Sequence, residues 1–168
     1  MMPLPAALGG TGLTVWRLES DKHLPTWDLA EGAFLVGGRW SSPGRRVLYT
    51  SLDPATTILE VAVHKGFNVL DTVPHKLLTL NIVSVGVHIV EPSDIPNPNW
   101  LRPGTISLNQ QKFGDALLDQ YPLVVLPSVV STHSWNLMIN LLNASGLFTI
   151  KDQESFALDP RLTPGVHP

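Results

Sequence analysis

The chain has 168 residues, of which 43% are hydrophobic and only 15% charged, against roughly a quarter charged in an average soluble domain; this suits one folded domain and excludes long charged, disordered tails. Eleven basic and 14 acidic side chains leave a net charge of −3, which supplies no basic stripe for a non-specific grip on nucleic acid. There is no cysteine, so disulfides, thiolate metal sites and cysteine nucleophiles are excluded as well.

Met1–Gly10 lacks the basic start and long apolar core of a secretory signal, and apolar runs such as Leu123–Leu126 fall far short of the roughly 18 residues that span a bilayer. A cytoplasmic protein is expected, with no membrane partner. The expected organisation is a single domain over 1–168, its core over 13–162 and its ends, 1–12 and 163–168, loose. Gly9-Gly10-Thr11-Gly12 is rich in glycine, but it precedes a strand and has neither a Walker lysine nor G-x-G-x-x-G spacing, so it is not read as a phosphate loop.

Fifteen prolines and 13 glycines cut the rest into short elements. Leu13–Leu18 (LTVWRL) reads as a strand, Asp21–Ser42 as a loop-rich passage, and Val47–Leu52 (VLYTSL) as a second strand. Asp53-Pro54 pairs an N-cap residue with proline at the first helical position, which predicts a helix running to about Lys65 and stopping at Gly66. Ile58, Leu59, Ala62 and Val63 form its expected apolar face, while Glu60 and His64, four apart, stand one above the other. Glu60 interrupts an apolar run, and an unpaired buried carboxylate is costly unless it has a use. Leu77–Val83 and Val85–Val90 are expected strands joined near Ser84 or Gly86, followed by a Pro-rich loop over Glu91–Gly104. A helix is expected over about Asn109–Tyr121, with Phe113, Ala116, Leu117 and Leu118 inward, and a central strand over Leu123–Leu126. Ser134–Asn143 is open between helix and loop, Leu147–Ile150 and Phe156–Leu158 are expected late strands, and Asp159–Pro168 is a polar end. The fold class is α+β: one compact domain of short strands and a few helices.

Glu60 and His64 have helical metal-ligand spacing, but H-E-x-x-H is absent and no third ligand is evident, so no metal is expected. Ser128 and His133 lack the G-x-S-x-G elbow of a serine nucleophile. What remains is a set of polar residues within apolar strands and turns: Arg17, Arg39, Tyr49, Ser51, Glu60 and Ser128. Each alone suits a salt bridge, a turn or a cap. Together they are the groups that hold a pyrophosphate, stack a planar base and contact a ribose hydroxyl.

The order of these residues resembles the RES domain, the toxin half of Xre–RES toxin–antitoxin pairs, named for an arginine, a glutamate and a serine. Trp16-Arg17 is similar to its first-strand (Tyr/Trp)-Arg, and Gly37-Gly38-Arg39-Trp40-Ser41-Ser42-Pro43-Gly44 with Val47-Leu48-Tyr49-Thr50-Ser51 to its G-G-R-W-N-x-x-G…V-V-Y-x-S block. Leu59-Glu60-Val61 with His64 resembles L-E-x-x-x-H, Leu126-Pro127-Ser128 resembles V-P-S, Asn136–Asn140 resembles N-Y-L-x-N, and Phe156–Leu162 resembles F-x-x-D-x-R-L. The blocks span Val15 to Leu162. Two departures stand out. Ser41 occupies a position where asparagine is common, and Asn140-Leu141-Leu142-Asn143-Ala144 replaces N-P-x-H-P, so that histidine is missing.

The resemblance implies an ADP-ribosyltransferase-like fold, NAD+ as substrate and a helix-turn-helix (Xre-like) antitoxin as partner, to which DNA contact would fall. It also implies growth arrest, through NAD+ cleavage with water or phosphate as acceptor or through ADP-ribosylation of a protein. The alternative is a non-catalytic module that only engages its antitoxin. Breaking the nicotinamide–ribose bond develops positive charge on the sugar, as in glycoside hydrolysis. In this expectation Glu60 stabilises that charge and holds ribose hydroxyls, Arg17 and Arg39 hold the pyrophosphate or ribose, and Tyr49 stacks on nicotinamide. Ser51 and Ser128 fix the amide or ribose, and Trp40 and Asn136 line the pocket.

Overall fold

The computed structural model describes residues 12–83, 86–102, 104 and 106–162; most of the glycine-rich start, Ser84-Val85 and the end beyond Leu162 lie outside the described residues. The described residues form seven strands, β1 (Leu13–Ser20), β2 (Val47–Ser51), β3 (His75–Ile82), β4 (Val87–Ile89), β5 (Leu123–Pro127), β6 (Trp135–Asn140) and β7 (Phe148–Phe156). They join in one sheet of order β4-β5-β6-β2-β1-β3-β7, in which only β4 and β5 run parallel. Among the described residues four α-helices accompany it: α1 (Glu31–Val36), α2 (Pro54–Lys65), α3 (Phe67–Thr72) and α4 (Leu108–Leu118). The α+β class expected from the sequence stands. No described helix is long and apolar enough to cross a membrane.

β5 and β6 are buried at every position because both faces of the sheet are covered there. Leu123, Val125, Trp135, Leu137 and Ile139 pack into one cluster, while Val124, Leu126 and Met138 pack into another with Trp40, Trp100 and Leu118. This double burial explains the ambiguity of Ser134–Asn143. WNLMIN shows no polar alternation, and it is a strand, neither helix nor loop. Nor is β5 central; it is second from the edge, beside β4.

Other expectations change in definable ways. Asp21–Ser42 contains 3-10 turns over Asp21–Leu29 and the short helix α1, and α3 follows α2 directly. The two late strands are one: β7 runs through the polar stretch Lys151–Ser155, which an edge strand tolerates because most of its side chains face solvent, and Ala157-Leu158 lie beyond it.

α2 begins and ends as its caps dictate. Asp53 accepts hydrogen bonds from the Thr56 N–H and hydroxyl, both at 2.7 Å, and Gly66 closes the helix. Its inward face differs from the expected one, however. Thr56, Thr57 and Ala62 are buried, Leu59 and Val63 are exposed, and the Thr57 hydroxyl reaches the Trp16 carbonyl of β1 at 3.1 Å. The helix therefore sits on the sheet partly through threonines, and its Glu60 side is turned to a cavity. In α4, Ala116 is exposed and Gln110, Gln111 and Gly114 are buried instead. Gly114 is required by close approach, since a Cβ there would stand 1.9 Å from the Trp40 carbonyl oxygen.

Candidate active site

A cavity of about 410 Å³ opens between β1, β2, α2 and the segment Ala30–Trp40, within the size range of small-molecule sites. Each wall comes from a different element. Arg17 and Glu19 come from β1, Tyr49 and Ser51 from β2, and Glu60 and His64 from α2, while Arg39 comes from the loop after α1 and Asn136 from β6. Trp40 also reaches the wall, but the residue is almost fully buried, its ring packed against Trp100 and Phe113.

Glu60 is half-buried and receives both of its protein hydrogen bonds on one oxygen. Ser128 Oγ donates to Oε1 at 2.9 Å and Asn136 Nδ2 donates to it at 2.5 Å. An ionised carboxylate only accepts, so the Asn136 amide must turn its nitrogen to Glu60, which leaves Oδ1 to accept from Ser51 Oγ at 2.7 Å. Among the described residues no hydrogen bond reaches Oε2 and no cation pairs with Glu60. The carboxylate is thus fixed by neutral donors alone. Ser128 is fully buried; its hydroxyl lies behind Glu60, accepts from the Ser131 N–H at 3.0 Å and forms no part of the cavity wall.

Arg17 is differently placed. Its Nε and Nη2 donate to Glu19 Oε2 at 3.2 and 2.6 Å, and Nη1 donates to the Tyr49 carbonyl at 3.0 Å. Glu19, which sequence reasoning missed, is buried and further held by the Ser20 N–H at 3.2 Å. The i, i+2 spacing of Arg17 and Glu19, which places both on one face of a strand, was the available signal.

Arg39 has no carboxylate partner among the described residues; its only protein hydrogen bond there is to the Arg102 carbonyl at 3.5 Å. Its loop is secured from α4. Gln111 Nε2 donates to the Gly38 and Ser41 carbonyls at 2.9 and 3.1 Å, and Asp115 accepts from the Ser42 N–H at 3.1 Å. Tyr49 lies against Gly38, where a Cβ would meet the phenol oxygen at 2.6 Å. Its hydroxyl is 2.8 Å from Ser41 Oγ. Burial pushes the phenol up to about 12, against the opposing pull of Ser41, so Tyr49 stays protonated at neutral pH and is no general base.

The structure thus brings Arg17, Arg39, Trp40, Tyr49, Ser51, Glu60 and Asn136 to one cavity and sets Ser128 behind it. Asn140 and the residues to Ala144, where the chain departs from the motif pattern, are not on that wall. Asn140 instead donates to the Leu118 carbonyl at the end of α4, at 2.8 Å.

Comparison with known proteins identifies the family and the fold. The family model described as RES domain matches residues 14–161. A protein named Toxin Res from Photorhabdus laumondii is 26% identical over 129 residues, covering 76% of this chain and 81% of that protein. Among solved structures, a chain of the M. tuberculosis MbcT–MbcA toxin–antitoxin complex superposes with a TM-score of 0.71 at 17% identity, covering 87% of this chain and 85% of that one, which shows a shared fold.

Proposed function

The chain belongs to the RES domain family, and on that premise we propose that it is the toxin of a toxin–antitoxin pair, cleaving NAD+ at the nicotinamide–ribose bond and passing ADP-ribose to an acceptor. The observation that carries this reading is Glu60: a carboxylate on a cavity wall, fixed through one oxygen by Ser128 and Asn136, with its charge uncompensated. Such preorganised negative charge stabilises a sugar as it turns cationic, and it needs no reorganisation when the bond breaks.

In the proposed reaction the C1′–N bond breaks and its electron pair leaves with neutral nicotinamide. An acceptor oxygen then bonds to C1′ and loses its proton. Glu60 Oε2 faces the ribose and its hydroxyls. Arg39 supplies an unpaired charge for the pyrophosphate, and Ser51 and Asn136 keep Glu60 in register. An antitoxin as partner is supported by family membership and by a structural neighbour that was solved as a toxin–antitoxin complex; a helix-turn-helix antitoxin is the type this reading proposes.

The test is incubation of purified protein with NAD+ labelled in its adenylate half, with and without phosphate and with a cell extract. Free nicotinamide in step with labelled ADP-ribose or its phosphate marks a soluble acceptor, and label retained on a protein band marks a protein acceptor. NAD+ recovered unchanged in every arm would sink the enzymatic reading and leave a module that only engages its antitoxin.

A further inference from the structure

The two arginines of the cavity are not equivalent. Arg17 gives three N–H groups to protein acceptors, and its charge is cancelled by Glu19 at 2.6 Å. Among the described residues Arg39 forms no ion pair, and neither does Lys65, which also lines the wall. A paired guanidinium still directs its two remaining N–H groups, but it contributes little net field.

We propose that Glu19 is a positioning and specificity-determining residue of this cavity. By cancelling the charge of Arg17 and anchoring its guanidinium, it makes Arg17 a neutral hydrogen-bond director and leaves the phosphates of the substrate to Arg39 and Lys65. The inference rests on the reading of the cavity as an NAD+ site.

Two physical consequences favour this division of labour. The β1 wall shares the cavity with Glu60, where positive charge would develop on the sugar, and a bare guanidinium there would oppose that charge. The same bare guanidinium would attract the phosphates of the substrate toward the β1 wall, and with them a competing pose. Glu19 suppresses both, because its Oε1 is held by the Ser20 N–H and its Oε2 faces the Arg17 fork. A salt bridge that served only stability would have neither effect.

The experiment measures ADP binding by calorimetry and NAD+ turnover for wild type and Glu19→Gln, at low and high salt. With the Arg17 charge released, ADP should bind at least about threefold more tightly at low salt, and the gain should fade at high salt. NAD+ turnover should show kcat reduced about tenfold without a rise in KM. Weaker or unchanged ADP binding would overturn the proposal, since loss of a purely structural bridge loosens the site. Should Glu19→Gln not fold, the neutral pair Arg17→Gln with Glu19→Gln replaces it. ADP affinity within about twofold of wild type then supports the proposal, and a loss of about tenfold would return the phosphates to Arg17 and overturn it. If wild type releases no nicotinamide, the NAD+ reading fails, while ADP affinity still reports on Glu19.

Discussion

The α2 wall of the cavity and its β1 wall each carry one glutamate, and the surroundings of the two differ in kind. Glu60 on α2 is bound by a hydroxyl and an amide, and among the described residues no cation pairs with it. Glu19 on β1 is bound by a guanidinium and a backbone N–H, and its charge is answered within the protein. Neutral donors fix the direction of a carboxylate without cancelling its field, whereas a bidentate arginine does both. On the proposed reading, the contrast separates a side chain available to a developing cation from one that shapes its surroundings.

The sharpest way to break this contrast is to remove the charge of Glu60. Glu60→Gln should lower nicotinamide release by about 10²–10³-fold, the magnitude of a lost preorganised electrostatic contact, while the fold survives because one of its walls is cavity. Turnover within about threefold of wild type would place the chemistry elsewhere. Ser128→Ala tests whether the neutral donors matter. It deletes the 2.9 Å bond to Glu60 and strands the Ser131 N–H, so a stability loss of about 1–2 kcal/mol is expected, with roughly a tenfold drop in kcat and little change in KM. An equal loss of stability with unchanged kcat would make Ser128 a turn residue only.

Tyr49 of β2, next to the β1 wall, offers a milder test, because its carbonyl holds Arg17 while its hydroxyl meets the buried Ser41. Tyr49→Phe keeps the first and loses the second, costing about 1 kcal/mol in a denaturant titration. Because burial raises the phenol to about 12, above its unfolded value of roughly 10, its contribution is complete below pH 10 and is lost as pH rises toward 12. The stability gap between wild type and variant should therefore narrow above pH 10; a gap that widens there would contradict the burial of the phenol.

Glu60 and the residues around it were largely legible in the sequence, and less of the β1 wall was. Glu60 stood out because it interrupts an apolar helix, and Ser51, Asn136 and Ser128 fall in ordered motif blocks. Glu19 did not stand out, since a charge near the end of LTVWRLES reads as solvated until the strand is extended to Ser20 and its alternation followed. The Thr57 contact with Trp16 was equally hidden: threonine carries no apolar signal, so the helix was expected to pack through Leu59 and Val63, which are exposed. Arg39 lies in the glycine-rich loop after α1. That Gln111 and Asp115 secure that loop depends on pairs about 70 positions apart in the chain, which no local pattern encodes.

The smallest effect concerns how α2 is seated and, through it, how Glu60 meets Asn136. Asp53 caps the helix through Thr56, and its Oδ2 also accepts from Ser134 Oγ at 2.9 Å, tying the helix start to the approach to β6. Burial alone would raise the Asp53 carboxyl, but the hydrogen bonds from Thr56, Ser134 and the Ala55 N–H outweigh it and hold the group below the usual carboxylate range. A carboxyl depressed in the folded state stabilises the protein above its unfolded pKa of about 3.9, and that stabilisation is lost as pH falls through the folded value. Asp53→Ala should therefore cost ~1 kcal/mol between pH 5 and 8, with the gap to wild type closing below about pH 4. Because Asp53 joins the start of α2 to Ser134 ahead of β6, the same variant should loosen the Glu60–Asn136 contact and reduce kcat by a small factor, about two- to threefold. A thermal-melt series across pH, read beside turnover, checks both: a gap that stays constant to pH 2 would mean that Asp53 stabilises the helix without its charge, and that the cap acts through shape alone.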